Sequence, residues 1–271
     1  MFLSVIIPTA GNTDALLRCL NALHRQGNGD IPFSVEMIVT DDALQDHTKT
    51  SLEKRFPAVK WVRGPHCGPA ANRNNGSIHS NGDWLAFVDD HCIPDPDYLA
   101  NIAKVICEHP SIQLIEGYTY TDREKRRYDE EAPVNLHGNN LWSGNLIIKR
   151  SLFLGIQGFC EELSIPALED IDFHLTLRNH YIPLYFAPEI KVCHPWTKRR
   201  SLLSRLRSVD SVRILCQRHP SLKKELDQRR HLLKFIEGIR ERTAVLLRFR
   251  FKGFRVYLED NLVHIYYLIK R

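Results

Sequence analysis

The sequence predicts an α/β fold: a mainly parallel sheet flanked by helices, followed by a helical, basic C-terminal extension. Three observations predict it. Short apolar runs alternate with segments of helical periodicity through the first half of the chain, the pattern of strands joined by crossover helices. Polar groups gather directly after those runs, where open α/β sheets bind ligands. Charge is divided along the chain: residues 1–194 carry 17 Lys and Arg against 25 Asp and Glu, a net −8, and residues 195–271 carry 20 against 7, a net +13.

The elements follow in order. Residues 3–7 (Leu-Ser-Val-Ile-Ile) form the first strand. Residues 14–26 carry Leu16, Leu17, Leu20 and Leu23 at helical spacing, with Asn12 or Thr13 as the cap. A second strand spans 35–39, a helix 46–56, and a short strand 59–62. Gly68-Pro69-Ala70-Ala71 opens the next helix, which stops near Asn81-Gly82, and the apolar run 84–88 is strand four. A helix is expected over 96–108, a strand over 112–120, and a charge-dense, exposed loop over 122–131. The segment 141–149 contains a strand, 169–179 is a helix with Ile171, Leu175 and Leu177 apolar, and 182–186 and 190–193 are short terminal strands. From Ser201 onward the pattern is helical, with breaks at Pro220 and Gly253.

Length and composition set the frame. A chain of 271 residues is enough for one large domain plus the extension. No run of about 18 apolar residues occurs, so no transmembrane helix is expected. Met1 leads straight into the first strand with neither a basic segment nor a small-residue cleavage site. The seven cysteines, at 19, 67, 92, 107, 160, 193 and 216, form no CxxC pair. Both features fit a reduced, cytoplasmic protein.

Four constellations carry chemistry. Pro8-Thr9 and Asp41-Asp42 end the first two strands on one lip of the sheet, where a carboxylate can accept a base N–H or ribose hydroxyls. Gly68 to Gly76 pairs small residues at a helix start with Arg73, within reach of a nucleotide. Asp89-Asp90-His91 ends the strand 84–88, and Asp oxygen with His nitrogen suits a divalent cation bridging to a diphosphate. Glu169-Asp170 opens a helix, and His194-Pro195 follows the last short strand. Taken singly, each has a plainer reading: turn chemistry, a tightly packed helix, or first-turn charge stabilised by the helix dipole.

Together, in this order and spacing, the motifs over residues 2–195 resemble the family-2 glycosyltransferases of the GT-A fold. They are Ser4 to Thr9, Val39-Thr40-Asp41-Asp42, Gly68 to Asn74, Phe87 to His91, Ser143-Gly144-Asn145, Gly158-Phe159 and Glu169 to Asp172. The resemblance implies a GT-A catalytic domain over 1–195, with a nucleotide-sugar half of about 1–95 and an acceptor half of about 96–195, before an extension over 196–271. It implies nucleotide contacts at Pro8, Thr9, Asp41, Asp42, Arg73, Asp89 and Asp90. Asp170, beside Glu169, matches the acid that takes the acceptor hydroxyl proton. His91 stands where the family's Asp-x-Asp motif ends, so Asp89 and His91 are the implied metal ligands; His194 is either a third ligand or structural. The mixed imidazole and carboxylate set favours Mn2+ over Mg2+.

The implied reaction is inverting, metal-assisted hexosyl transfer from a nucleoside-diphosphate sugar, UDP-linked as is commonest in the family, to a hydroxyl of a glycan or lipid-linked acceptor in polysaccharide biosynthesis. The alternatives are a non-catalytic nucleotide- or glycan-binding protein of the same fold and a sugar nucleotidyltransferase. The latter is a poor match, because Thr9-Ala10-Gly11-Asn12 lacks a basic residue for a triphosphate. Asp-x-Asp has become Asp-x-His, and Ala43-Leu44 replaces the Gly-Ser that usually follows the paired acids. The basic extension either lies peripherally on an anionic membrane surface at the inner face or packs its apolar stripe on the catalytic domain. No nucleic-acid recognition module is present, and no nucleic-acid partner is expected.

Overall fold

A computed structural model describes residues 1–28, 33–166, 168–222 and 228–270, with the backbone alone at 27, 28 and 228–235. It divides into two compact units, Met1–Asp122 with Pro133–Pro195, and Arg123–Ala132 with Trp196–Arg271.

The first unit is built on an eight-stranded sheet. Its strands are β1 (Phe2–Thr9), β2 (Ser34–Asp41), β3 (Lys60–Arg63), β4 (Trp84–Val88), β5 (Ile93–Pro94), β6 (Leu114–Tyr120), β8 (Asn145–Lys149) and β9 (Tyr185–Cys193), in the order β3-β2-β1-β4-β8-β6-β9-β5. The nucleus β3-β2-β1-β4 is parallel. Strand β8 runs antiparallel to both β4 and β6, and β9 is parallel to β6. The sheet is therefore mixed. Two reversals cancel, so β1, β2, β4 and β9 all end on the same edge, where β8 begins.

Both faces are covered, which explains the unbroken apolar runs. Side chains alternate with the strand period. Leu3, Val5 and Ile7 of β1 and Ala86 and Val88 of β4 face α1 (Thr13–His24) and α4 (Tyr98–Glu108). Ile6, Leu85 and Phe87 face the other way, in a core with Ala70 of α3 (Pro69–Ile78), Phe153 of α5 (Arg150–Gly155), Phe159, and Phe173 and Leu177 of α6 (Leu168–Asn179). The remaining helix of this unit, α2 (His47–Arg55), buries only Thr48 and Leu52.

The structure differs from the sequence reading in three places. The two terminal strands are one strand, β9, interrupted by a bulge. Gly117 of β6 pairs with Ala187, and its neighbour Tyr118 pairs with Lys191, leaving 188–190 as extra residues. Asn145 donates to the carbonyls of Tyr118 and Ile190, each at 3.1 Å, and so satisfies backbone the ladder leaves open. Helix α6 turns Glu169, Asp170 and Asp172 inward and leaves Ile171 40% exposed. The segment 122–131 is not an exposed loop throughout: Tyr128 and Glu130 are buried.

That segment supplies β7 (Glu130–Glu131) to the second unit, paired antiparallel with β10 (Thr197–Lys198). Glu130 accepts from Arg123 (2.7 Å) and from the backbone N–H groups of Arg126 and Arg127, which is why a charged residue is buried there. Helices α7 (Leu202–Arg218), α8 (Gln228–Arg248) and α9 (Phe254–Lys270) complete the unit. Asp260 of α9 is buried, accepting from Tyr128 Oη (2.7 Å), Arg199 and Arg205. Among the described residues no helix is long and apolar enough to cross a membrane.

Neutralising Asp260 would remove the carboxylate that Arg199 and Arg205 share, leaving them Glu131 and Glu259. Asp260→Asn should destabilise this unit by about 1–3 kcal/mol. Faster hydrogen exchange in α7 and α9 is the expected readout; protection equal to wild type would refute the assignment.

Candidate active site

The strand ends converge on a cavity of about 430 Å3 lined by Pro8, Thr9, Asp42, Arg73, Asp89, Asp90, His91 and Glu169 among others. Helix α3 begins at Gly68, whose φ of +95° and position admit no side chain: a Cβ would lie 2.3 Å from the carbonyl oxygen of Ser164. The chain after β2 is folded by its own acids. Asp41 is fully buried, accepting from Ala43 N (2.9 Å) and, at 3.5 Å, from Trp61 Nε1. It shapes the turn and does not line the cavity. Asp42 does line it, accepting from His66 N (3.0 Å) and Gly68 N (3.3 Å).

Arg73 is buried between two carboxylates. It donates to Asp89 at 2.8 Å and Glu169 at 3.2 Å. Burial pushes the Asp89 carboxyl up, but the Arg73 guanidinium, with His91 and His194, holds it below the usual range. Glu169 and Asp170 behave oppositely: burial raises both, against the opposing charge of Arg73. Asp170 Oδ2 accepts from Ser143 N at 3.3 Å. Its Oδ1, like Glu169 Oε2, is buried without a hydrogen-bond partner among the described residues. Glu169 lines the cavity; Asp170 does not.

Asp90 has both oxygens engaged, accepting from Thr9 Oγ1 (2.6 Å) and lying 3.0 Å from His91 Nδ1. His194 Nδ1 lies 2.9 Å from the Pro195 carbonyl oxygen. Both acceptors require a proton on the Nδ1 facing them, which directs the two Nε2 lone pairs at each other across 2.7 Å. Bare lone pairs repel at that distance unless a positive charge lies between them. A shared proton is one such charge. Burial lowers His91, yet its bond to Asp90 and the charges of Asp89 and Asp90 hold it above the usual imidazole range. Burial and the charge of His91 hold His194 below it.

A divalent cation would sit beside this Nε2 pair, because midway between two atoms 2.7 Å apart it would be too close to each. Ligand atoms of Asp89, His91, His194 and Cys92 lie within 4.8 Å of one another. Burial pushes the Cys92 thiol well up, and Asp89, His91 and His194 form the Asp-His-His part of this donor set. The sequence reading missed two residues here. Asn72 donates to the Thr9 and Thr40 carbonyls (3.1 and 3.0 Å) and accepts from Thr40 Oγ1 (2.6 Å), stapling β1 to β2. Gly144 permits the close approach of the β8 loop, since a Cβ there would meet Asp89 Oδ2 at 2.8 Å.

A mixed sheet with carboxylates and imidazoles gathered at its strand ends is the frame of a GT-A enzyme. The family model described as Glycosyl transferase family 2 matches residues 4–164, and the chain belongs to that family. An uncharacterized glycosyltransferase of Haemophilus influenzae is 27% identical over 213 residues, covering 74% of this chain and 70% of the relative. The validoxylamine A glucosyltransferase of Streptomyces hygroscopicus subsp. limoneus is 28% identical over 270 residues, covering 83% and 58%. The GalNAc(5)-diNAcBac-PP-undecaprenol beta-1,3-glucosyltransferase of Campylobacter jejuni is 28% identical over 123 residues, covering 44% and 36%. The chain thus spans well under two thirds of the latter two. Among solved structures, S. aureus TarS 1–349 matches with a TM-score of 0.59 at 22% identity, covering 80% of this chain and 65% of that one. TarS 1–349 has also been solved with UDP and with UDP-GlcNAc. GalNAc-T7 with UDP, GalNAc and Mn2+ matches with a TM-score of 0.56 at 17% identity, covering 71% and 43%. These structures share the GT-A fold with this chain.

Removing the central guanidinium tests the site's electrostatics. Arg73→Met should cost about 3–5 kcal/mol at neutral pH by leaving buried carboxylates unpaired. Asp89 is depressed in the folded protein, so its contribution exists above the unfolded Asp value of about 3.9 and is lost as pH falls through the folded value. The gap between wild type and variant should therefore narrow below pH ~4. Chemical denaturation across pH measures this, and a pH-independent gap would contradict it.

Proposed function

We propose that this chain is an inverting, metal-assisted glycosyltransferase. It moves a hexosyl group from a UDP-linked sugar to a hydroxyl of a glycan or lipid-linked glycan acceptor at an anionic membrane surface. The observation that carries this reading is the convergence of Asp89, His91 and His194 beside a cavity walled by the ends of β1, β2 and β4. The UDP-bound and Mn2+-bound neighbours of the same fold support the nucleotide and the metal, and the undecaprenol-linked substrate named for one relative supports the acceptor class.

The chain's own residues divide the work. Pro8, Thr9 and Asp42 receive the nucleoside, and Asp42 accepts its N–H or hydroxyl protons. Asp41 acts at one remove, by folding the turn that presents Asp42. Asp90 fixes the His91 tautomer so that Nε2 faces the metal position. Arg73 keeps Asp89 ionised as a ligand. Asp89, His91 and His194 hold the cation, Mn2+ in preference to Mg2+ because two of the donors are imidazoles. When bound, it supplies Lewis-acid stabilisation of the charge that builds on the leaving diphosphate.

Asp170 takes the acceptor hydroxyl proton. Its Oδ1 is buried beside the cavity without a hydrogen-bond partner among the described residues, so the acceptor hydroxyl must reach it there, and Ser143 N–H orients the other oxygen. Glu169 is held by Arg73 and serves as its counter-ion. Displacement from the face opposite the leaving group needs one base and no carboxylate nucleophile, and it inverts the anomeric centre.

Three outcomes are expected. UDP should raise the melting temperature of the intact protein with Mn2+ and not without it, and His91→Ala should abolish that rise while circular dichroism stays native. A full Mn2+-dependent shift in the variant would remove His91 from the site. Asp170→Asn should slow transfer roughly 10²–10⁴-fold with donor binding nearly unchanged. A larger loss in Glu169→Gln, with Asp170→Asn active, would exchange the two roles. Because burial raises Asp170, the base form is lost as pH falls through a value above the ordinary Asp range. The acid limb of kcat/KM should therefore lie above pH ~4 and disappear in the Asn variant.

A further inference from the structure

Helix α9 is built inside out. Its acids, Glu259 and Asp260, are turned inward onto Arg205, and Asp260 also meets Arg199. Its outward side is apolar. Phe254, Leu258, Leu262, Ile265 and Ile269 are exposed by 47, 47, 54, 41 and 76%. Spacings of four, four, three and four residues at 100° each place all five within an arc of about 80°. Phe251, exposed by 58%, extends the patch, its ring 6.4 Å from that of Phe254.

Cations rim this stripe. Arg248, Arg250 and Lys252 are exposed at the end where α9 begins, beside Arg255, which pairs with Glu259 at 2.9 Å. Lys270, exposed at the other end, pairs with Asp210 at 3.2 Å. An apolar stripe of this length between basic ends is complementary to a bilayer with anionic headgroups: acyl chains take the stripe, and phosphates take the rim. A second copy of the chain is a worse occupant, since it would bring one region of net +13 against another.

We propose that α9 is an interfacial helix, lying in the plane of an anionic membrane with Phe254, Leu258, Leu262, Ile265 and Ile269 immersed among the acyl chains. This rests on the membrane-surface reading above and deepens it by naming the helix face that enters the bilayer. Charge contact and apolar immersion differ in salt dependence. Charge attraction is screened at about 1 M salt, where the Debye length is about 3 Å, and apolar immersion is not.

Full-length protein is sedimented with vesicles of equal parts phosphatidylglycerol and phosphatidylcholine, at low salt and at about 1 M. Wild type should bind at low salt and keep a fraction bound at high salt. Leu258→Ser/Leu262→Ser/Ile265→Ser should keep the low-salt binding and lose the high-salt fraction about 10- to 100-fold. In a separate Leu262→Trp variant, vesicles carrying brominated acyl chains should quench emission more than in wild type. Complete release of wild type at high salt, with the triple variant indistinguishable and no added quenching, would leave the charge contact standing and overturn immersion. No binding even at low salt would overturn both. A vesicle-free dimer in sedimentation velocity that the triple variant dissolves would assign the stripe to a second copy instead.

Discussion

The first unit depends on one buried cation. Arg73 sits among Asp89, Glu169 and Asp170, and the first two reach it directly. Carboxylates this close, removed from water, cannot all stay ionised without a compensating charge. Arg73 divides the group: Asp89 is driven towards the ionised form, and Glu169 and Asp170 are left raised by burial. One helix residue thus sets unlike protonation tendencies in neighbouring acids. The proposed ligand and the proposed base lie within one such group, and this is a physical means of having both.

The sheet supplies the convergence. Because β8 reverses direction twice over, β9 ends on the edge where β1, β2 and β4 end. His194 therefore meets His91 from 103 residues away. Asp90 and the Pro195 carbonyl then hold the two rings by their Nδ1 atoms, leaving both Nε2 atoms to face each other.

Much of the frame was legible because strands covered on both faces are mostly apolar, as β4 is throughout and β1 is apart from Ser4 and Thr9. The polar lip was legible because Thr9, Asp42 and Asp89 to His91 follow those runs directly. What escaped was non-local. Nothing near 169–172 in sequence announces that α6 turns its acids inward; the reason is Arg73, 96 residues earlier. Tyr128 and Glu130 sit in a segment whose composition reads as a solvated loop, and their burial comes from Asp260 and Arg123. Asn72 lay inside a quoted motif, yet its partners belong to β1 and β2. Gly144 likewise lay inside a motif, and its need to be small arises only where it meets Asp89.

The bulge in β9 has a consequence for how such a site changes over generations. Residues 188–190 are surplus to the ladder with β6, and everything after them is displaced by their number. Which side chain arrives beside His91 is therefore a matter of chain length as well as residue type. Deleting one bulge residue would bring Pro195 to the place of His194 and flip the alternation before it. A lineage could discard this histidine without a single substitution at its codon and restore it with one inserted triplet.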